Sequence, residues 1–84
     1  MIKKFHYRDL KRILMDLGFE EEHVKGCHYR LFCSKHDLNF ILPDDDEIPY
    51  YHLVGIRRML SERGVMEPDD FEELLSKEAH IVLK

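Results

Sequence analysis

Residues 19–43 read FEEEHVKGCHYRLFCSKHDLNFILP, and three strand-like runs separated by two turns lie within them. Phe19 to Val24 forms the first run, Lys25 and Gly26 a turn, and Cys27 to Ser34 a second run with period-two alternation. On that second run Cys27, Tyr29, Leu31 and Cys33 fall on one face and His28, Arg30, Phe32 and Ser34 on the other. The first set is expected to face the core. Lys35, His36 and Asp37 supply a polar turn, and Leu38 to Leu42 a third run that stops at Pro43. The expectation is a three-stranded antiparallel meander.

Helical patterns flank it on both sides. Tyr7 to Leu17 carries Leu10, Ile13, Leu14 and Leu17 at helical spacing, with Gly18 where a left-handed cap belongs. After the acidic run at 44–47, Pro49 to Arg63 carries Leu53, Ile56 and Leu60 as a buried stripe and ends at Gly64. Pro68, with Asp69 and Asp70 behind it and then Phe71, Leu74 and Leu75, opens a shorter third helix. Ala79 to Leu83 is apolar enough for a strand or a partner contact. The fold class is therefore α+β, with helices on one sheet face and the other face available.

A chain of 84 residues buries only roughly 60% of its unfolded surface, too little for two cores, so residues 1–84 are expected to form one domain. Hydrophobic residues at 44% and charged ones at 36% fit a folded domain rather than a disordered tail. No apolar run approaches the roughly 20 residues that span a bilayer, and MIKKFHYRDL has no apolar segment behind its lysines, so a cytoplasmic location is expected. Cys27 and Cys33 on one strand would stand about 20 Å apart at roughly 3.3 Å per residue, too far to bond to each other. Free, buried thiols fit a reducing compartment.

The net charge of −4 runs against the basic surface usual in nucleic-acid binders, yet it is unevenly spread. Residues 1–36 hold eight Lys and Arg against five acids, whereas residues 37–84 hold five against twelve. A polyanion site therefore belongs in the first half, where Lys3, Lys4, Arg8, Lys11 and Arg12 cluster around the first helix. The plainer alternative is that the asymmetry only keeps the protein soluble.

A first helix ending in LGF, the turn KGCHYRLF, a strand running into EIPYYHL and the segment EPDDFEELL together resemble the HicA toxin family over roughly residues 4–75. The resemblance implies a double-stranded RNA-binding-domain-like α-β-β-β-α fold with a short extra C-terminal helix. It implies an endoribonuclease, an mRNA interferase of a type II toxin–antitoxin pair, whose partners are RNA and a HicB-like antitoxin protein. In that family the histidine after Gly-Ser is catalytic; it falls on His28, with Lys25 and Gly26 matching and Cys27 standing where serine is usual. Tyr50, Tyr51 and His52 stand where the family more often has Lys, Gly, Thr.

The chemistry has its own logic. Metal-independent RNA cleavage needs a base for the ribose 2′-hydroxyl, an acid for the leaving oxygen, and cations for the charge building on phosphorus. Histidine titrates near neutral pH and can serve as either, so His28 is the catalytic candidate, with Lys25, Gly26, Arg30, Lys3, Lys4, Lys11 and Arg12 as the RNA-binding set and no metal or cofactor. For a second proton-transfer group His6, His23, His36, His52 and Tyr29 qualify by type, and only His23 and Tyr29 lie near the hairpin.

Other readings compete. Cys27, His28, Cys33 and His36 are metal-ligand types within ten residues, but they lack paired CxxC knuckles and neighbours on a strand point opposite ways. The same alternation keeps His28 from activating Cys27 as a nucleophile. A non-catalytic RNA-binding domain, or a protein-interaction module using Tyr50 and Tyr51, remains the serious alternative.

Overall fold

A computed structural model describes residues 2–44, 47–78 and 80–82, with side chains for 5–44 and 47–77. The elements run β1 (Ile2–Lys4), α1 (Tyr7–Asp16), β2 (Glu20–Lys25), β3 (His28–Cys33), a 3₁₀ turn (Ser34–His36), β4 (Leu38–Pro43), α2 (Tyr50–Glu62), α3 (Pro68–Glu78) and β5 (His80–Val82). The protein is α+β, with three helices and a three-stranded antiparallel sheet in the order β2-β3-β4. A second, two-stranded sheet pairs β1 with β5. Sequence reading did not anticipate β1, while β5 falls within the apolar segment after the third helix, whose Ala79 and Leu83 lie outside the described residues.

α1 begins where the His6 amide donates to Asp9 Oδ2 at 3.4 Å, a carboxylate that also suits the positive end of the helix dipole. It ends where Gly18 takes φ +99°, a conformation that costs a side-chain-bearing residue. There the Phe19 amide reaches the Leu14 carbonyl and the Gly18 amide that of Met15, the paired bonds of a Schellman cap. α2 closes the same way, with Val65 bonding Leu60 and Gly64 bonding Ser61.

One hydrophobic cluster joins the helices to a single face of the sheet. Leu10, Ile13 and Leu14 of α1, Leu53, Ile56 and Leu60 of α2, and Phe71 and Leu75 of α3 meet Leu31, Cys33, Leu38, Phe40 and Leu42. Phe19 stacks on Phe40 with ring centroids 5.7 Å apart. Along β4 burial alternates, Leu38, Phe40 and Leu42 inward and Asn39 and Ile41 outward, so no helix among the described residues covers the opposite face. No helix among the described residues is long and apolar enough to cross a membrane.

Two expectations for the second strand are corrected by the structure. Cys27 does not continue the core-facing row of Tyr29, Leu31 and Cys33; it is exposed in the hairpin turn, and only Cys33 is buried. Ser34, expected on the outer strand face, starts the 3₁₀ turn instead.

Candidate active site

The hairpin between β2 and β3 turns through Gly26 and Cys27, with Lys25 paired to His28. Gly26 holds φ +57°, which a two-residue turn with a leading glycine requires to match the twist of its strands. Further down the ladder His23 pairs with Tyr29, Glu22 with Arg30, Glu21 with Leu31 and Glu20 with Phe32. The register slips between His23 and Lys25, so Val24 is the extra residue of a β-bulge.

That bulge has a chemical consequence. Directly opposed residues of an antiparallel pair point to the same side with Cβ atoms about 4.5–5.5 Å apart. Lys25 and His28 are such a pair, on the face that bears Glu22, Arg30 and Phe32 and is left uncovered by the helices. Both are exposed. The Arg30 guanidinium lies 4.2 Å above the Phe32 ring, and its Nε stands 3.6 Å from Glu22 Oε1. That Nε is buried and makes no hydrogen bond among the described residues. The uncovered face thus presents an ammonium, an imidazole and a ring-supported guanidinium in sequence, with two carboxylates, Glu20 and Glu22, on the outer strand.

His23 and Tyr29, the two groups nearest the hairpin for a second proton-transfer role, belong to the opposite side. Their rings sit 5.1 Å apart, His23 Nε2 lies 2.6 Å from the Gly26 carbonyl oxygen, and Tyr29 stacks on Tyr7 at 5.5 Å. The Tyr7 hydroxyl donates to Glu21 Oε2 at 2.7 Å while Lys11 Nζ holds Oε1 at 3.0 Å. Burial, then the bond to Glu21, pushes the Tyr7 phenol far above its ordinary range. Burial works to raise the Glu21 carboxyl, but the bonds from Tyr7 and Lys11 prevail and hold it below its ordinary value.

The expected RNA-binding cations therefore fall into separate places. Lys25, Gly26 and Arg30 gather around His28. Lys11 and Arg12 stand with Arg8 around a shallow depression on α1, in the helical layer behind the sheet, and there Lys11 is engaged by Glu21 and Arg12 lies 3.9 Å from Asp9. Lys3 and Lys4 occupy β1, and their side chains lie outside the described residues. His36 presents its carbonyl to Arg63 beyond the far end of β3, so Cys27, His28, Cys33 and His36 do not converge. No group of three or more metal-ligating side chains occurs among the described residues.

Sequence reasoning missed the bulge at Val24 and the carboxylates beside the cations. Alternation places Glu22 opposite Arg30 only once the pairing register is known. Comparison of the chain with protein-family models finds no match, and comparison with curated proteins and with solved structures finds no significant similarity.

Proposed function

We propose that this protein is a HicA-type ribonuclease toxin that cleaves mRNA without a metal ion, using His28 for proton transfer. The observation that carries the reading is the direct opposition of Lys25 and His28 on the uncovered sheet face, with Arg30 two residues on. His28 takes the ribose 2′-hydroxyl proton, or returns one to the departing 5′-oxygen, while Lys25 and Arg30 neutralise the non-bridging phosphate oxygens. The Arg30 guanidinium, held over the Phe32 ring, offers an unpaired base a plane to stack on. In-line attack by the 2′-oxygen leaves a 2′,3′-cyclic phosphate and a 5′-hydroxyl.

The same proposal includes the finer description of the fold as double-stranded RNA-binding-domain-like, with α1, β2 to β4 and α2 as the α-β-β-β-α unit and α3 appended. It also includes the partner: a HicB-like antitoxin in the cytoplasm that covers the His28 face and so silences the toxin.

A second reading, a non-catalytic RNA-binding or protein-interaction module, is favoured by Glu20 and Glu22 on the same face and by the exposed Tyr50 and Tyr51. Induction of the wild-type chain and of His28→Ala in bacteria without an antitoxin, together with cleavage of end-labelled RNA in EDTA, separates the two. Wild type is expected to arrest growth and cleave. His28→Ala should fold normally, since the side chain it truncates is exposed, and should lose about 10²–10⁴-fold in cleavage rate. Unimpaired cleavage by His28→Ala removes His28 from the chemistry, and a folded wild type that neither arrests growth nor cleaves moves the assignment to the second reading.

A further inference from the structure

β4 is an edge strand whose outer backbone groups pair with no other strand among the described residues. The Asp44 amide bonds the Cys27 carbonyl, one position beyond the His28–Pro43 pair, so the hydrogen-bonded rungs to β3 are Tyr29–Leu42, Leu31–Phe40 and Cys33–Leu38. The N–H and C=O groups of Asn39 and Ile41 consequently point away from β3, and among the described residues no strand lies beyond them. Pro43, which has no N–H to give, falls on the outward-pointing set where its ring breaks no rung.

Beside this edge runs a groove of about 270 Å³ between β4 and α2. Its walls include Ile41, Tyr51 and Met59, which are 55%, 71% and 37% exposed, a concentration of apolar surface at one edge of a small protein. At its centre is Gly55, in the middle of α2, where glycine destabilises a helix relative to alanine. A Cβ there would meet nothing within 4 Å and the backbone is not left-handed, so neither crowding nor conformation within one chain calls for glycine.

We infer that this edge and groove form a two-fold interface with a second copy of the chain, β4 pairing antiparallel with its counterpart and α2 lying against α2. The surface is self-complementary. Pairing centred on Phe40 gives each outward amide of Asn39 and Ile41 a carbonyl of the other copy. Tyr51, Gly55 and Met59 are spaced four apart along one helical row, so antiparallel helices meet glycine to glycine at the axis and set each Tyr51 ring against the opposite Met59 thioether. Charge complements the pairing at its ends: Lys35, in the 3₁₀ turn before β4, and Asp44, just after Pro43, form no ion pair among the described residues, and the two-fold brings each towards the other. The interface uses the outer edge of β4, the strand next to the one that carries His28, and stands whether or not the protein cleaves RNA.

Sedimentation velocity of the full chain across the micromolar range tests this, with circular dichroism checking the fold of every variant. A species of twice the 10.2 kDa chain mass is expected. Ile41→Lys, which brings two like charges together near the axis, should raise the dissociation constant at least about tenfold, and Met59→Glu should also weaken association. Lys35→Glu should weaken the dimer and adding Asp44→Lys should restore it. Gly55→Leu should raise the melting temperature of the dilute, dissociated chain while weakening association, a combination that a glycine needed only for folding would not produce. A monomer at every concentration, or a dimer indifferent to both Ile41→Lys and Met59→Glu, overturns the inference.

Discussion

The substitution Tyr7→Phe removes one hydroxyl and leaves in place a ring that is 3% exposed and stacked on Tyr29. The hydroxyl's partner is an ionised carboxylate at 2.7 Å, and hydrogen bonds to charged groups contribute about 1.5–3 kcal/mol when desolvated. Glu21 keeps Lys11 and remains 21% exposed, so water takes up part of the lost bond and the expected cost is about 1 kcal/mol at neutral pH. For a domain of this size that corresponds to roughly 4–8 °C in melting temperature. The pH profile carries the sharper signature. The folded-state carboxyl of Glu21 is lowered, so its contribution is present above the unfolded value near 4.5 and fades as pH falls through the folded one. The Tyr7 phenol is raised, so wild-type stability is whole below the unfolded value of 10.0 and declines as pH climbs beyond it, a decline the Tyr7→Phe variant escapes. Urea melts of both proteins across the pH range should therefore give a difference that is largest between those limits and shrinks on either side. A difference that is flat with pH, or that grows in acid, would refute the assignment of the Tyr7–Glu21–Lys11 arrangement.

Two further outcomes are open to direct measurement. Cys27 in the exposed turn should react with a thiol reagent at once and Cys33 only as the chain unfolds, and equal rapid labelling of both contradicts the burial of β3. Leu31→Ala, at a site with no exposure on the central strand, should cost about 2–5 kcal/mol in denaturant melts. That is a large share of the roughly 4–13 kcal/mol expected for a chain of this length, and a loss below about 1 kcal/mol contradicts the core described above.

Helices and meander were legible because each buries one face, and burial of one face imposes a period that the sequence displays. The stripe Leu10, Ile13, Leu14 and the alternation Leu38, Phe40, Leu42 are such patterns, and all six residues lie in the core. Gly18 and Gly64 marked helix ends for the same local reason. The turn was legible only to within one residue. Its centre is Gly26 and Cys27 rather than Lys25 and Gly26, and that shift moves Cys27 out of the strand into solvent. Pairing of β1 with β5 joins two three-residue strands from opposite ends of the chain, and no local pattern in IKK or HIV encodes it. Around the candidate site, period two put His28 and Arg30 on one face, but Lys25 joins them through a bulge whose place depends on register. Lys11 and Arg12 illustrate the converse, since charge alone does not tell a cation facing a ligand from one held by Glu21 or lying near Asp9.

The β1–β5 ladder gives the molecule a built-in order of assembly. β2, β3 and β4 are joined by short turns and can zip locally, whereas Ile2 must find Val82 across nearly the entire chain. Loop-closure entropy rises by about 0.6 kcal/mol with each doubling of the loop, and a three-residue ladder returns little against it. That ladder is expected to form last and open first, so amide exchange there should report a local opening, whereas the hydrogen-bonded amides of central strand β3 should exchange only through loss of the whole structure.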